Sequence, residues 1–333
     1  MNAHRVCLVK GPEEAAVEAF VEVTGLEKIY RGSGLGGTPV AALAGISFRI
    51  APGELMGLLG PNGAGKTTTV KILSGLVAPT AGRAELMGRP SHEPRARAAL
   101  GYMPERSSPP EHLNGLECIE REGRMFSLAR ATRKRAVETL PAKVGLDPKV
   151  ATRRVSTYSK GERARLGIAL ALVPDPKIIL LDEPTDGLDP VGRREVRELL
   201  VALKGEGRAI LLNSHLLSEA ELCCDHVSIL ARGQVVASGK TQELLSSGTQ
   251  RLTLKTVPQA SDEDLAKLAA LAKSARREGD ALVVELAQES DVDKVVDLVR
   301  ARGLSLRELT ARRPSLEQYF MQAIQVPAAA VVS

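Results

Sequence analysis

Aromatic side chains are nearly missing from this 333-residue chain, which holds four Phe, four Tyr and no Trp, 2% of the whole. Its cores must therefore rest on Leu, Val, Ile and Ala. The scarcity also disfavours modules that stack single-stranded bases on aromatic platforms. Cysteine is scarce too. Cys7, Cys118, Cys223 and Cys224 are too few for a disulfide scaffold and lack zinc-type spacing, so reduced thiols and no zinc are expected. No apolar run approaches the roughly 18–20 residues that span a bilayer. At the N-terminus, Glu13 and Glu14 interrupt the chain before a signal-peptide core can form. The chain by itself is thus not expected to form a channel or pore. Charge of one sign is not in large excess either: 45 Lys plus Arg stand against 40 Asp plus Glu, a net +5. The interspersed signs permit phosphate or anionic-lipid partners without demanding them.

What is present is ordinary globular composition, 44% hydrophobic and 26% charged. The length predicts two domains. After a polar leader at 1–19, strands are expected at Phe20–Val23, Ile46–Ile50 and Leu55–Leu59, with a Gly-rich loop at Arg31–Pro39 between the first two. A helix follows at Lys66–Leu73. The stretch from about 105 to 165 reads as a helical, more charged insertion, with helices near Leu116–Leu128 and Arg133–Val144. Buried-strand patterns return at Lys177–Leu181, Ala209–Leu212 and His226–Leu230, interleaved with helices at Val191–Leu203 and Leu217–Cys223. Strands alternating with helices imply an α/β domain with a largely parallel sheet, over 20–246.

A separate rhythm begins near 247 and runs to 333. Strands are expected at Arg251–Thr256, Leu282–Leu286 and Leu304–Leu309. Helices open on Ser261 with Asp264, on Ser290, and on Ser315 with Gln318, as capping residues. The pattern predicts a small α+β domain of ferredoxin-like type without a catalytic constellation.

Gly60-Pro61-Asn62-Gly63-Ala64-Gly65-Lys66-Thr67, followed by Thr68, fits G-x-x-x-x-G-K-[ST] between an apolar strand and a helix. The glycines let backbone N–H groups curl around phosphate oxygens, and the helix N-terminus adds partial positive charge. Lys66 can reach the β- and γ-phosphates and the Thr67 hydroxyl can ligate Mg²⁺. Ile178–Leu181 leads into Asp182-Glu183-Pro184, an apolar strand ending in carboxylates. Asp182 is placed for the metal beside Thr67, and Glu183 for orienting and deprotonating a water. No Asn-Lys-x-Asp guanine-reading motif accompanies them, which argues against a GTPase.

From about 21 to 245 these motifs, in this order, resemble the nucleotide-binding subunit of an ATP-binding-cassette (ABC) transporter. The resemblance implies a P-loop cassette with an inserted helical subdomain, binding ATP and Mg²⁺. It places Tyr30 where an aromatic stacks on adenine. Tyr158-Ser159-Lys160-Gly161-Glu162 falls in the place of the LSGGQ signature, where Ser159 and the Gly161 backbone, with Glu162 beside them, meet the ATP of an opposite subunit. Asp186-Gly187-Leu188-Asp189 resembles the loop that joins the two subunits, and His215 the switch histidine of the γ-phosphate. Two departures stand out. Glu105 replaces the lid glutamine as a hard-oxygen metal ligand, and Lys160 and Glu162 replace a glycine and a glutamine in the signature.

The resemblance further implies an ATPase that works as a head-to-tail dimer and powers a separate integral membrane permease, with no nucleic acid involved. The chain would then be cytoplasmic and peripheral on the membrane. The expected docking segment is Glu105–Leu116. The tail from Arg313 to Phe320 resembles exporter ATPases of the multidrug, sodium and gliding-associated type. A non-transport ABC ATPase acting on DNA or the ribosome is the alternative. It usually carries paired cassettes, long coiled coils or zinc sites, and none is visible here.

Overall fold

A computed structural model describes residues 19–31, 38–106, 109–246, 250–286, 291–312 and 315–325. The chain divides into two compact units, one of Met1–His215 with Leu230–Val235, the other of Leu216–Ile229 with Val236–Ser333.

The first unit opens with β1 (Val21–Tyr30), β2 (Val40–Ile50) and β3 (Leu55–Leu59), then α1 (Lys66–Leu73), β4 (Ala81–Leu86), β5 (Arg89–Pro90), α2 (Pro94–Arg97) and β6 (Leu100–Met103). Its helical part comprises α3 (Gly115–Met125), α4 (Arg130–Lys143), α5 (Pro148–Ala151), a short 3₁₀ turn and α6 (Lys160–Leu172). The parallel strands resume with β7 (Ile178–Asp182), α7 (Pro190–Gly205) and β8 (Ala209–Ser214).

Two sheets organise this unit. In the antiparallel one the order is β2-β1-β4-β5. In the other, β3, β8, β7 and β6 lie side by side in that order, all parallel. Every residue of β3, β7 and β8 is buried. Such strands, covered on both faces, read in sequence as unbroken apolar runs rather than alternations. Each fully buried Leu or Ile there contributes about 1.5–3 kcal/mol. β1 and β2 run several residues further than alternation indicated, through Tyr30 and from Val40, because their outer ends are exposed and pair without burying an apolar face. The strands β4, β5 and β6 were not legible in sequence. β4 begins with exposed Ala81-Gly82-Arg83, and β6 has only four residues.

The helix starts follow local chemistry. Asn114 and Glu117 form a reciprocal capping box on α3, and Ser159 and Glu162 do the same on α6.

The second unit holds α8 (Leu217–Cys223), residues 226–229 of β9 (His226–Ala231), residues 236–240 of β10 (Gln234–Lys240) and α9 (Thr241–Ser246), the rest of β9 and β10 belonging to the first. They are followed by β11 (Gln250–Val257), α10 (Asp262–Leu271), β12 (Ser274–Glu278), β13 (Ala281–Leu286), α11 (Asp291–Ala301), β14 (Ser305–Arg312) and α12 (Leu316–Gln325). Strands β11 to β14 form an antiparallel sheet in the order β12-β13-β11-β14, with the succession strand, helix, strand, strand, helix, strand. Leu252, Leu254, Leu268, Val284, Val295 and Val299 make its core. The strand β12 escaped sequence reading because its five residues, Ser-Ala-Arg-Arg-Glu, bury none of their side chains fully. Ser261 caps α10 as expected, through the Asp264 N–H, and the Gln318 N–H donates to Ser315. Ser290 lies outside the described residues, as do Arg313 and Pro314 of the tail. No helix among the described residues is long and apolar enough to cross a membrane.

Candidate active site

Strand register assembles the site. Parallel pairing sets Leu59 opposite Ser214, Asp182 opposite Asn213, and Met103 opposite Leu181. The carboxyl ends of four neighbouring strands therefore finish at one level. That edge of an open α/β sheet is where ligands bind. The residues leaving it are Gly60, Glu105, Asp182 with Glu183, and His215. At this edge lies a cleft of about 480 Å³ whose lining includes Asn62–Thr68, Glu105, Glu183, Asp186 and His215.

The loop after β3 needs its glycines. Gly60 has φ 144°, and a Cβ there would lie 2.2 Å from the carbonyl oxygen of Leu230. Gly65, at φ 107°, precedes α1, and a Cβ would meet the Ala42 oxygen at 2.6 Å and Leu43 at 2.7 Å. Gly65 also offers no side chain to cap the helix. The N–H groups of the first turn have no intrahelical acceptors and are available to an anion.

Lys66 is buried, and its ammonium donates to the carbonyls of Gly60 at 2.6 Å and Pro61 at 3.3 Å. It also stands 3.9 Å from Glu183 Oε1. Burial lowers its pKa, against the opposing pull of Glu183, Asp182 and Glu105. A phosphate chain would supply the compact negative charge that two neutral carbonyls do not.

Glu183 holds the unusual backbone angle φ 53°, although it is not glycine. Strain of this kind, about 1–3 kcal/mol, persists where the surroundings impose it. Here its N–H donates to the Asn213 carbonyl at 2.9 Å. Its Oε2 meets Nδ1 of His215 at 2.9 Å and accepts from the His215 N–H at 3.3 Å. Glu183 is thus clamped between a lysine and a histidine with little exposure to solvent.

Asp182 is 1% exposed and accepts a hydrogen bond from Asn213 Nδ2. Burial, with Glu105 and Glu183 nearby, pushes its pKa up to about 6. The other amide atom, Asn213 Oδ1, is buried without a hydrogen-bond partner among the described residues. Burial likewise pushes Tyr102 up to about 12. Among the described residues no group of three or more His, Cys, Asp or Glu side chains could hold a metal ion by itself; the oxygens of Asp182 and Glu105 and the Asn213 Oδ1 are of the hard type that a divalent cation carried on a phosphate chain takes.

The predicted site residues sort into three places. Gly63, Ala64, Gly65, Lys66, Thr67, Thr68, Pro61, Asn62, Glu105, Glu183 and His215 line one cleft, while Gly60 and Asp182 do not line it but adjoin the lining residues Pro61 and Glu183 in the chain. Tyr30 sits at its rim, paired with Val40 of the cleft wall, 37% exposed and with the Lys28 ammonium 5.1 Å from its ring centre. Ser159, Gly161 and Glu162 do not border the cleft. In this chain Ser159 and Glu162 instead satisfy each other at the start of α6, at 2.7 and 3.2 Å. Sequence reasoning missed Asn213 as the partner of Asp182 and Asp186 as part of the lining. Only the strand register could have shown the first.

Comparison with known proteins agrees with this geometry. Residues 43–186 match the ABC transporter family model. An uncharacterized ABC transporter ATP-binding protein of Synechocystis sp. is 36% identical over 95% of this chain and 88% of its own. A daunorubicin resistance ATP-binding protein of Streptomyces coeruleorubidus is 34% identical over 91% and 95%. The Nod factor export ATP-binding protein I of Ralstonia nicotianae is 37% identical over 65% and 71%. Among solved structures, an ATP-binding subunit of an ABC transporter is 29% identical, with a TM-score of 0.58 over 68% of this chain and 91% of that one. An ATP-binding cassette solved as a dimer in a post-hydrolysis state with ADP and Pi shares the fold at 23% identity, with a TM-score of 0.60 over 66% and 98%.

The chain belongs to the ATP-binding subunits of ABC transporters. It is a nucleotide-binding ATPase built on the P-loop cassette fold.

Proposed function

We propose that the cleft between the Gly60–Thr67 loop and Glu183 hydrolyses ATP to drive export through a separate integral membrane permease. The functions named for relatives, Nod factor export and daunorubicin resistance, support the outward direction. The Glu105–Leu116 segment is the proposed docking site, which would hold the chain at the cytoplasmic face of the membrane. The small sheet unit, whose β-α-β-β-α-β order supports a ferredoxin-like assignment, is taken as an accessory domain.

The observation that carries the hydrolytic reading is the contact of Glu183 with both Lys66 and His215. Phosphoryl transfer rests mostly on positioning and on charge stabilisation. Lys66 and the first turn of α1 hold the phosphates. Glu183 orients the attacking water and takes its proton, while His215 fixes the carboxylate and faces the γ-phosphate side. Thr67, Asp182 and Glu105 are the proposed holders of Mg²⁺, which when bound neutralises phosphate charge. Tyr30 is assigned to adenine.

Ser159, Gly161 and Glu162 lie outside the cleft, which supports a head-to-tail dimer. There the signature of one subunit would meet the ATP of the other. Glu183→Gln tests the central assignment. Phosphate release should fall about 10²–10³-fold while ATP binding persists and the ATP-bound dimer accumulates. Near-normal turnover would remove Glu183 from the role of base.

A further inference from the structure

Only two of the eight aromatic side chains are exposed. One is Tyr30, at the rim of the nucleotide cleft; the other is Phe126. Phe126 is 41% exposed and follows Met125, 64% exposed, at the end of α3. The chain does not put them there through disorder. The Ser127 N–H donates to the Arg124 carbonyl and the Leu128 N–H to that of Gly123, both at 2.9 Å, closing the helix with Ser127 at φ 54°. This double closure is a Schellman-type stop. It turns the chain sharply and leaves Met125 and Phe126 on the outside of the α3–α4 bend.

The same bend is strongly basic. From Glu120 to Arg135 there are six cations, Arg121, Arg124, Arg130, Arg133, Lys134 and Arg135, against two anions, Glu120 and Glu122. Arg124 and Arg133 share Glu120, and Lys134 faces Glu138. Arg121, Arg130 and Arg135 are exposed, and their side chains form no salt bridge or hydrogen bond among the described residues, although Arg121 interacts electrostatically with Glu122. Two adjacent exposed apolar side chains, with exposed arginines on both helices that meet at the bend, match an interfacial membrane motif, in which the apolar tip enters the acyl boundary while the cations engage headgroups.

We propose that the α3–α4 bend is a contact site for an anionic lipid surface, with Met125 and Phe126 as the inserted tip and Arg121, Arg130 and Arg135 as the headgroup cations. The occupant is inferred from charge complementarity. A neutral bilayer would leave the arginines without partners, and a purely electrostatic ligand such as RNA would have no use for the exposed pair of large apolar side chains.

The test uses the full chain with vesicles of phosphatidylcholine containing about 30% phosphatidylserine, compared with phosphatidylcholine alone. Co-sedimentation is expected with the anionic vesicles only, falling as salt is raised. Each cation near such a surface is worth about fivefold in partitioning. The triple variant R121Q/R130Q/R135Q should therefore lose about 100-fold, with ATP hydrolysis and thermal stability unchanged. Because the chain has no Trp, Phe126→Trp supplies a single fluorescent reporter at the tip. Its emission should shift to the blue with anionic vesicles and stay unchanged with neutral ones. Equal binding to both vesicle types, no blue shift, or undiminished binding of the triple variant would overturn the proposal. So would single-stranded RNA that binds the wild type, loses affinity in the triple variant and leaves Met125→Ser/Phe126→Ser unaffected.

Discussion

Nδ1 of His215 lies 2.9 Å from Oε2 of Glu183, and the other carboxylate oxygen is 3.9 Å from the Lys66 ammonium. One carboxylate thus ties together the ends of three parallel strands. The relation makes His215 a positioning group for Glu183 as well as a proposed γ-phosphate contact. His215→Ala should lower kcat about 10²-fold while leaving ATP affinity within about threefold. Steady-state kinetics beside equilibrium nucleotide titration would show it. A matching loss in affinity would mean that His215 serves binding alone.

Glu105 sets a carboxylate in a cleft already lined by Glu183, and it is among the causes of the raised pKa of neighbouring Asp182. At separations of several Å, one such charge is worth about 0.5–1.5 kcal/mol against a phosphate chain. Glu105→Gln should therefore bind metal-free ATP about 3–10-fold more tightly in the presence of EDTA. As a proposed Mg²⁺ ligand is lost, the half-saturating Mg²⁺ concentration for hydrolysis should rise. Removal of Mg²⁺ from the wild type should stop turnover.

Two glycines of the phosphate loop separate space from backbone angle. Gly63, at φ 81°, has nothing within 4 Å of an added Cβ, whereas Gly65 at φ 107° would strike the Ala42 oxygen at 2.6 Å. Gly63→Ala should cost about 1–2 kcal/mol of stability, the strain of a left-handed alanine. Gly65→Ala adds a clash with backbone that cannot rotate away, and should cost about 2–4 kcal/mol and abolish nucleotide binding. Denaturant titration of both variants, read beside ATP binding, distinguishes the two effects.

In the second unit, Asp264 accepts from the Arg302 guanidinium at 2.6 Å and caps α10 with Ser261. These bonds, that of Arg302 foremost, hold its pKa down at about 2, below the usual 3.8. A depressed carboxylate stabilises the fold fully above the unfolded-state pKa and loses that contribution as pH falls toward the folded value. The capping and ion-pair contribution should therefore be present at neutral pH and fade between about pH 4 and pH 2. Asp264→Asn should lower the thermal midpoint of this unit at pH 7 but converge with the wild type near pH 2. A constant difference across that window would remove the linkage.

The amino-acid order alone was enough for the chemistry of the phosphate loop and for the elements that bury both faces. Leu55–Leu59, Lys66–Leu73 and Leu217–Cys223 occupy the positions that the local pattern indicates, because local sterics and apolar spacing specify them without reference to distant residues. Short or exposed elements were silent. Ser274–Glu278 and Ala81–Leu86 become strands only because neighbouring strands offer hydrogen-bonding edges.

The site shows the same division. Lys66, Asp182, Glu183 and His215 could be named from motifs, since each motif is local. That Glu183 adopts φ 53°, that Asn213 serves Asp182, and that Asp186 turns into the cleft follow from the register of parallel strands far apart in sequence. Parallel pairing is non-local, and no spacing rule within one strand encodes it. The shortage of aromatics that marked the sequence took on meaning by the same route. Composition tells only that there are eight; tertiary structure leaves Tyr30 and Phe126 exposed, because helix closure and strand ends, not hydrophobicity, decide which side chains the core cannot reach.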